Sequence, residues 1–180
     1  MPATDNCSSW RSHPMPPNKP CPNRVAPTTP RPGHAALRRG RVTLRNGIYL
    51  VTAVTHRRIA LFRDCRAART ASQCFEDRLV LGDANMLAWV LMPDHAHWLI
   101  QLGATTPLGI CVGRIKSASS REVNRACRRK GCVWAPAFHD HAMRADEDVE
   151  AAARYLVANP LRAGLVERIG DYPYWNAVWI

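Results

Sequence analysis

The stretch from residue 86 to residue 102 restricts the fold most, because two apolar runs flank the dipeptide Pro93-Asp94. Both runs have the composition of β-strands, and proline favours a turn between them because it cannot donate to a ladder. The pattern predicts an antiparallel hairpin. Its second strand begins with His95 and His97, and residues two apart in a strand point to the same face. We therefore expect the two imidazoles to lie side by side.

Two neighbouring imidazoles are compatible with more than one role. Neutral imidazole is the commonest metal-ligand side chain, and a strand holds it rigidly. A single catalytic histidine, or two surface histidines on an edge strand, would produce the same spacing. The spacing of His95 and His97 alone favours these simpler roles, so other parts of the chain have to decide.

The remaining apolar patterns predict an α+β fold. In chain order they indicate a strand over residues 48–55, a helix over 64–79, the hairpin, a helix from Thr106-Pro107 to about residue 128, a strand over 133–143 and a helix from residue 146 to 159. The order βαββαβα is typical of a ferredoxin-like domain. We expect an antiparallel sheet with helices packed on one face.

Composition divides the chain into two parts. Residues 1–36 hold nine of the fourteen prolines and few aliphatic side chains, which predicts a disordered, basic segment. The expected folded domain is 37–180. Its 21 Lys and Arg against 13 Asp and Glu leave +8 of the chain's net charge of +11. Such an excess of one sign indicates a polyanionic partner, and nucleic acid fits the abundance of arginine best.

The cysteines and the hydropathy indicate the compartment. Seven cysteines form no regular framework, and no segment approaches the ~18 consecutive apolar residues of a membrane span. Met1 is followed by polar, proline-rich sequence rather than by the apolar core of a signal peptide. We expect a cytoplasmic protein with free thiols and no contact with a membrane.

The last predicted helix offers partners for the histidine pair. Tyr155 and Asn159 are four residues apart, so they share one helical face beside the apolar stripe through Leu156. A tyrosine, an amide and two histidines are able to converge on one metal ion. A phenol with a pKa near ~10 needs a base or a metal to act as a nucleophile in phosphoryl transfer. Mg²⁺ would bind weakly to such ligands, so its occupancy should depend on bound DNA.

Three stretches together resemble the REP-associated tyrosine transposases, bacterial relatives of the single-tyrosine HUH transposases. They are residues 93–98 (PDHAHW), 138–144 (FHDHAMR) and 155–166 (YLVANPLRAGLV). The resemblance extends over roughly residues 40–180. The H-x-H pair is weak evidence by itself, whereas three stretches in this order and spacing are specific.

The resemblance implies an HUH nuclease domain that cuts and rejoins single-stranded DNA. His95 and His97 match the metal-binding pair, with Ala96 at a position that is usually hydrophobic. Asn159 matches the third ligand of a Mg²⁺ or Mn²⁺ ion. Tyr155 matches the nucleophile that forms a 5′-phosphotyrosine and releases a 3′-hydroxyl. The implied substrate is a REP-like or palindromic hairpin, bound in the bacterial nucleoid by a monomer or a homodimer.

Charge alone suggests further contacts with DNA. The candidates are Arg38, Arg39, Arg41, Arg57, Arg114, Lys116, Arg121, His139 and His141. The last two histidines, with Cys127 and Cys132, also allow a zinc site, although the spacing fits no usual zinc pattern. Tyr155 alone is compatible with a packing role, and Asn159 with a helix cap. An alternative to the enzyme is a non-catalytic protein, derived from a transposase, that binds hairpin DNA or RNA.

Overall fold

A computed structural model describes residues 44–179 of the chain. The predicted disordered segment 1–36, and with it Arg38, Arg39 and Arg41, lies outside the described residues. Five strands and five helices form in the order β1 Ile48–Val54, α1 Cys65–Gln73, α2 Arg78–Leu81, β2 Asn85–Met92, β3 His95–Gln101, α3 Leu108–Ala126, β4 His139–Ala142, α4 Val149–Val157, α5 Asn159–Arg162 and β5 Trp175–Ala177.

The strands form one antiparallel sheet in the order β4-β1-β3-β2-β5. The β2–β3 hairpin turns at Pro93-Asp94, and Met92 pairs with His95, as the sequence predicted. The first four strands have the order of a ferredoxin-like sheet, so the predicted α+β fold is confirmed. Strand β5 adds a short edge that the sequence did not predict.

Helices α1 and α3 cover one face of the sheet. Trp98 and Ile100 of β3 point to this face and pack in one buried cluster with Ala71 of α1 and Ile115 of α3. The Asp64 carboxylate caps α1 by accepting a hydrogen bond from the Ala67 amide at 2.9 Å. This layer is the expected single layer of helices.

A further helix, α4, covers part of the opposite face. Leu99 of β3 and Val90 of β2 pack there against Ala153, Leu156 and Val157 of α4. The expectation that all helices lie on one face is therefore wrong. The reason is that alternate residues of β2 and β3 are apolar on both faces, and a sheet that is apolar on both faces needs cover on both.

Strand β4 is much shorter than the predicted strand over residues 133–143. The ladder with β1 contains His139–Ala142. Trp134, before the strand, forms an isolated antiparallel bridge with Thr55, and its buried indole N–H donates to Ser119 Oγ at 2.9 Å. The segment before β4 therefore combines a single bridge at the end of β1 with packing against α3.

Two expectations about the compartment have different outcomes. Cys65 and Cys132 are disulfide-bonded, whereas Cys74, Cys111 and Cys127 are free, so the prediction of free thiols is wrong for the first two. Sequence spacing could not reveal this, because a disulfide depends on distances within the fold. Among residues 44–179, no helix has the length and apolarity that a membrane crossing requires.

Candidate active site

The two histidines of β3 lie together on the face that α4 partly covers. Their ring centroids are 4.9 Å apart and the rings are nearly perpendicular, at 87°. Residues His95 and His97 alternate with Ala96 and Trp98, which are buried on the other face. The strand periodicity therefore places both imidazoles on one surface, as the sequence predicted.

Neighbouring polar groups fix the orientation of each ring. His95 Nδ1 is 2.6 Å from the Asp94 carboxylate, and His97 Nδ1 is 2.9 Å from the hydroxyl of Thr52 on β1. In both rings the Nδ1 atom is occupied by this contact, so Nε2 is the atom that could bind a metal. A carboxylate or hydroxyl behind a ligating histidine is a usual means of fixing its tautomer and angle.

The charge state of His97 suits metal binding. Burial, with the positive charges of His95 and Arg162, lowers the pKa of His97 from 6.5 to about 4. This ring is therefore neutral at neutral pH, the form that binds a metal. Burial acts to raise the pKa of Asp94, but hydrogen bonds and charges from His95 and Arg58 outweigh it, so the net shift is downward.

Tyr155 and Asn159 lie near the end of α4 and the start of α5. Asp148 caps α4 by accepting a hydrogen bond from the Ala151 amide at 2.9 Å, and buried Leu156 anchors the helix on the sheet. Tyr155 is 64% exposed, so it is not the packing tyrosine that was the alternative. Asn159 donates its amide to the Leu156 carbonyl at 2.8 Å, and this bond fixes its side chain.

Arg162 joins these residues and was not identified from the sequence. Its guanidinium lies 3.6 Å from the centroid of the Tyr155 ring. It also donates to the Asn159 side-chain oxygen at 2.7 Å and to the Tyr155 carbonyl at 2.9 Å. Its positive charge also contributes to the lowered pKa of His97. A spacing of three residues from Asn159 and seven from Tyr155, along one helical face, is the signal that identifies it.

The residues present fit an open site for a divalent cation. The two imidazoles present Nε2 atoms, and the Asn159 side-chain oxygen, the third ligand predicted from the sequence, accepts a hydrogen bond from Arg162. No group of three or more His, Cys, Asp or Glu able to hold a metal exists within residues 44–179. That result removes the alternative zinc site of Cys127, Cys132, His139 and His141. Any third protein ligand from these residues would have to be of another type, such as an amide.

The sequence did not assign a role to Asp94, Thr52 or Arg58. Asp94 contacts His95 through one oxygen and Arg58 through the other, at 3.4 Å. Arg57 and Arg58 both have positive φ, at 57° and 56°, which is uncommon for residues with side chains. The chain after β1 thus bends sharply beside the site, which exposes Arg57, a predicted DNA contact.

The other predicted DNA contacts are divided between the two faces. His139 pairs with Thr52, which also pairs with His97, so these residues share one face across three strands. His141 lies further along β4 with its Nε2 atom 3.0 Å from Glu147. Arg114, Lys116 and Arg121 instead belong to α3, on the opposite layer.

Lys116 is already engaged within the protein. Its ammonium group donates hydrogen bonds to the carbonyls of Ala135, Pro136 and Ala137. These bonds hold the segment before β4 against α3. Lys116 is therefore a weaker candidate for phosphate binding than Arg121, which is exposed.

Comparison with known proteins identifies the family. The model for "Transposase IS200 like" matches residues 43–159, which include both histidines, Tyr155 and Asn159. A REP-associated tyrosine transposase of Escherichia coli K12 is 30% identical over 93 residues, 48% of this chain and 50% of the relative. A Haemophilus influenzae Rd protein named as a REP-associated tyrosine transposase is 30% identical over 98 residues, 49% of this chain and 56% of the relative. The match thus spans about half the length of these relatives.

A solved structure supports the fold independently. It is the structure of a REP-associated tyrosine transposase bound to a REP hairpin, with a TM-score of 0.57 and 24% sequence identity. The alignment covers 75% of this chain and 79% of that one. On the match of the family model to most of the described residues, the chain belongs to the IS200-like transposase family.

Proposed function

We propose that the protein is a metal-dependent endonuclease and strand transferase that acts on single-stranded hairpin DNA through a covalent tyrosine. The observation that carries the proposal is the pair formed by His95 and His97. Asp94 and Thr52 orient the two rings so that both Nε2 atoms are available. Metal-binding histidines typically have their second ring nitrogen held in this way.

Tyr155 is the proposed nucleophile. Its phenolic oxygen attacks the scissile phosphorus as the phenol loses its proton to solvent or a base. The bond from phosphorus to the 3′-oxygen breaks, and that oxygen leaves as a 3′-hydroxyl after taking up a proton. The 5′ end remains as a phosphotyrosine. Attack by a 3′-hydroxyl on this phosphotyrosine reverses the step and joins two strands. The high exposure of Tyr155 suits a residue that has to meet a DNA strand.

His95, His97 and Asn159 are the residues that would hold Mg²⁺ or Mn²⁺. The chemistry supplied by such an ion is polarisation of the non-bridging phosphate oxygens and orientation of the phosphodiester. The low pKa of His97 keeps that ring ready to bind, since no proton has to leave it at neutral pH. Two imidazoles and one amide oxygen carry no negative charge, so the DNA phosphate has to supply it.

The proposed substrate is a REP-like or palindromic hairpin. The charge of +8 on residues 37–180 favours a polyanion, and the relative with the similar fold is bound to a REP hairpin. Arg57 and His139 lie on or beside the face that carries the histidine pair. We expect these two residues to contact the backbone of the strand that enters the site. Light scattering of the full chain with and without a hairpin will show whether a monomer or a homodimer acts.

A covalent-adduct assay tests the proposal. A fluorescent single-stranded hairpin is incubated with the full chain and Mn²⁺, and denaturing electrophoresis separates any protein–DNA adduct. The adduct should form with the natural chain and vanish with Tyr155→Phe. Tyr174→Phe is the matched control, because its hydroxyl makes only a long contact of 3.5 Å to the Cys65 carbonyl.

Two other outcomes would overturn the proposal. Tight binding of the hairpin without any adduct would establish the non-catalytic hairpin-binding protein. Cleavage that persists in Tyr155→Phe would mean hydrolysis without a covalent step. DNA from the region that flanks the gene is the best source of hairpins, because such elements are expected beside their transposase.

A further inference from the structure

Within residues 44–179, Arg162 is the arginine that contacts both Tyr155, the proposed nucleophile, and Asn159, the proposed metal ligand. It donates to Asn159 Oδ1 at 2.7 Å and stacks 3.6 Å from the centre of the Tyr155 ring. A guanidinium over an aromatic face is held by a cation–π attraction. The residue lies three positions beyond the segment that the family model matches, which ends at residue 159.

Three of the described arginines have a carboxylate partner that balances their charge, and Arg162 is not among them. Arg58 pairs with Asp94, Arg125 with Glu122, and Arg154 with Glu150. In the part of the chain that the structure describes, no carboxylate forms an ion pair with Arg162. Its contacts are a ring face, a backbone carbonyl and an amide oxygen, all of them neutral. A positive charge therefore stands at the site without a fixed anion.

The Asn159 side-chain oxygen accepts a hydrogen bond from Arg162 and is also the proposed ligand of the metal ion. A cation bound by this oxygen and the histidines would lie within a few ångströms of the guanidinium, and like charges repel strongly at that distance. A bound phosphodiester would offset this repulsion between the guanidinium and the cation. The planar guanidinium matches two phosphate oxygens, and the same phosphate attracts the cation.

We propose that Arg162 couples cation binding to DNA binding at this site. It opposes a divalent cation while it is hydrogen-bonded to Asn159, and it moves to the scissile phosphate when DNA enters. The move frees the Asn159 oxygen for the cation and holds the phosphate beside Tyr155. This inference rests on the proposed function, because it takes the histidine pair and Asn159 as the ligands.

Titration with Mn²⁺ alone, without DNA, tests the first half of the inference. Electron paramagnetic resonance measures the free ion for the full chain, for Arg162→Gln and for Arg162→Lys. Removal of the charge should tighten Mn²⁺ binding roughly tenfold, because the repulsion disappears. Arg162→Lys keeps the charge and should stay close to the natural chain. Arg78→Gln, an exposed arginine of α2 on the far layer, controls for the change in net charge.

The second half requires DNA. The measurement uses Tyr155→Phe, which prevents turnover. A hairpin oligonucleotide with a single-stranded flank should tighten Mn²⁺ binding to this variant at least about tenfold. Mn²⁺ should tighten hairpin binding by the same factor. In the double variant Tyr155→Phe/Arg162→Gln, the factor by which the hairpin tightens Mn²⁺ binding should fall to about two or less. Arg162→Lys should give an intermediate factor, because lysine cannot bind phosphate in the same bidentate way.

Unchanged Mn²⁺ affinity in Arg162→Gln, or an unchanged coupling factor, would overturn the inference. Failure of the proposed function looks different. Absence of the covalent adduct in the natural chain would refute the nuclease, while a charge-dependent Mn²⁺ affinity would still support the role of Arg162. Loss of Mn²⁺ binding in His97→Ala would confirm that the titration reports this site. If His97→Ala kept the Mn²⁺ affinity of the natural chain, both the proposed metal site and the role of Arg162 would be refuted.

Discussion

The two faces of the sheet use the same strand in opposite ways. On β3, Ala96, Trp98 and Ile100 face α1 and α3 and are buried among apolar side chains. His95 and His97 face the other side, where α4 covers only part of the surface and polar neighbours remain. We call the first side the packed face and the second side the open face. The open face combines a smaller apolar cluster under α4 with the polar histidine pair, so strand alternation places the two environments one residue apart.

Trp98→Ala should strongly destabilise the fold, because this residue lies on the packed face. Trp98 is fully buried and packs edge-on against Phe75 and Trp134. Truncation of such a large core residue costs about 3–5 kcal/mol of unfolding free energy. Chemical denaturation with urea measures the loss. A cost below about 1 kcal/mol would mean that the packed face can collapse around the cavity.

His97→Ala should have the opposite profile on the open side. We expect the yield of covalent adduct to fall about 100-fold or more, because one ligand and its oriented ring are lost. The unfolding free energy should change by less than about 1 kcal/mol, since the ring is not part of an apolar cluster. Adduct assays and urea denaturation on the same preparation give both values. A large loss of stability with little loss of adduct would reverse the assignment of the two faces.

Asp94→Asn sharpens the comparison within the open face. The Asp94 carboxylate contacts His95 Nδ1 at 2.6 Å. The proposed metal would bind to the other ring nitrogen, Nε2, so Asp94 orients His95 and is not itself a proposed ligand. Loss of such an orienting group typically costs 10–100-fold in metal affinity. Mn²⁺ titration measures the change. The matched variant Asp83→Asn removes a carboxylate that binds Thr105 at the start of the α3 layer, and it should leave Mn²⁺ affinity unaltered.

Periodicity allowed the sequence to predict the sheet and the histidine pair, because both depend on local rules. The hairpin at Pro93-Asp94 and the shared face of His95 and His97 follow from a period of two. The position of α4 on the second face did not follow, because it depends on how the chain turns after β4. Thr52 was missed for a similar reason, because it becomes a neighbour of His97 only through strand pairing. Arg162 was not identified, although its spacing from Tyr155 and Asn159 along the chain indicates it.

Acid should lower the stability of the fold through His97, which lies on the open face. The folded protein keeps His97 neutral down to a pKa of about 4, whereas the unfolded chain binds a proton near the ordinary value of 6.5. The unfolded state therefore gains protons first as the pH falls. This contribution to stability is complete above pH 6.5, is lost progressively between 6.5 and about 4, and is constant below that. Thermal melting with EDTA present should show this slope in the natural chain and a smaller one in His97→Gln.

The smallest expected effect tests whether DNA stays on the open face. Arg121 is exposed on α3, in the layer that covers the packed side, whereas Arg57 lies in the sharp bend beside the histidine pair. If the strand follows the open face, Arg57→Gln should weaken hairpin binding several-fold, by up to roughly 1 kcal/mol, and reduce its salt dependence. Arg121→Gln should change the affinity less than twofold, because long-range charge alone is screened at physiological salt. Fluorescence anisotropy over a range of salt concentrations measures both. Equal losses would show that DNA contacts both layers, and the division between a packed face for stability and an open face for DNA would then fail.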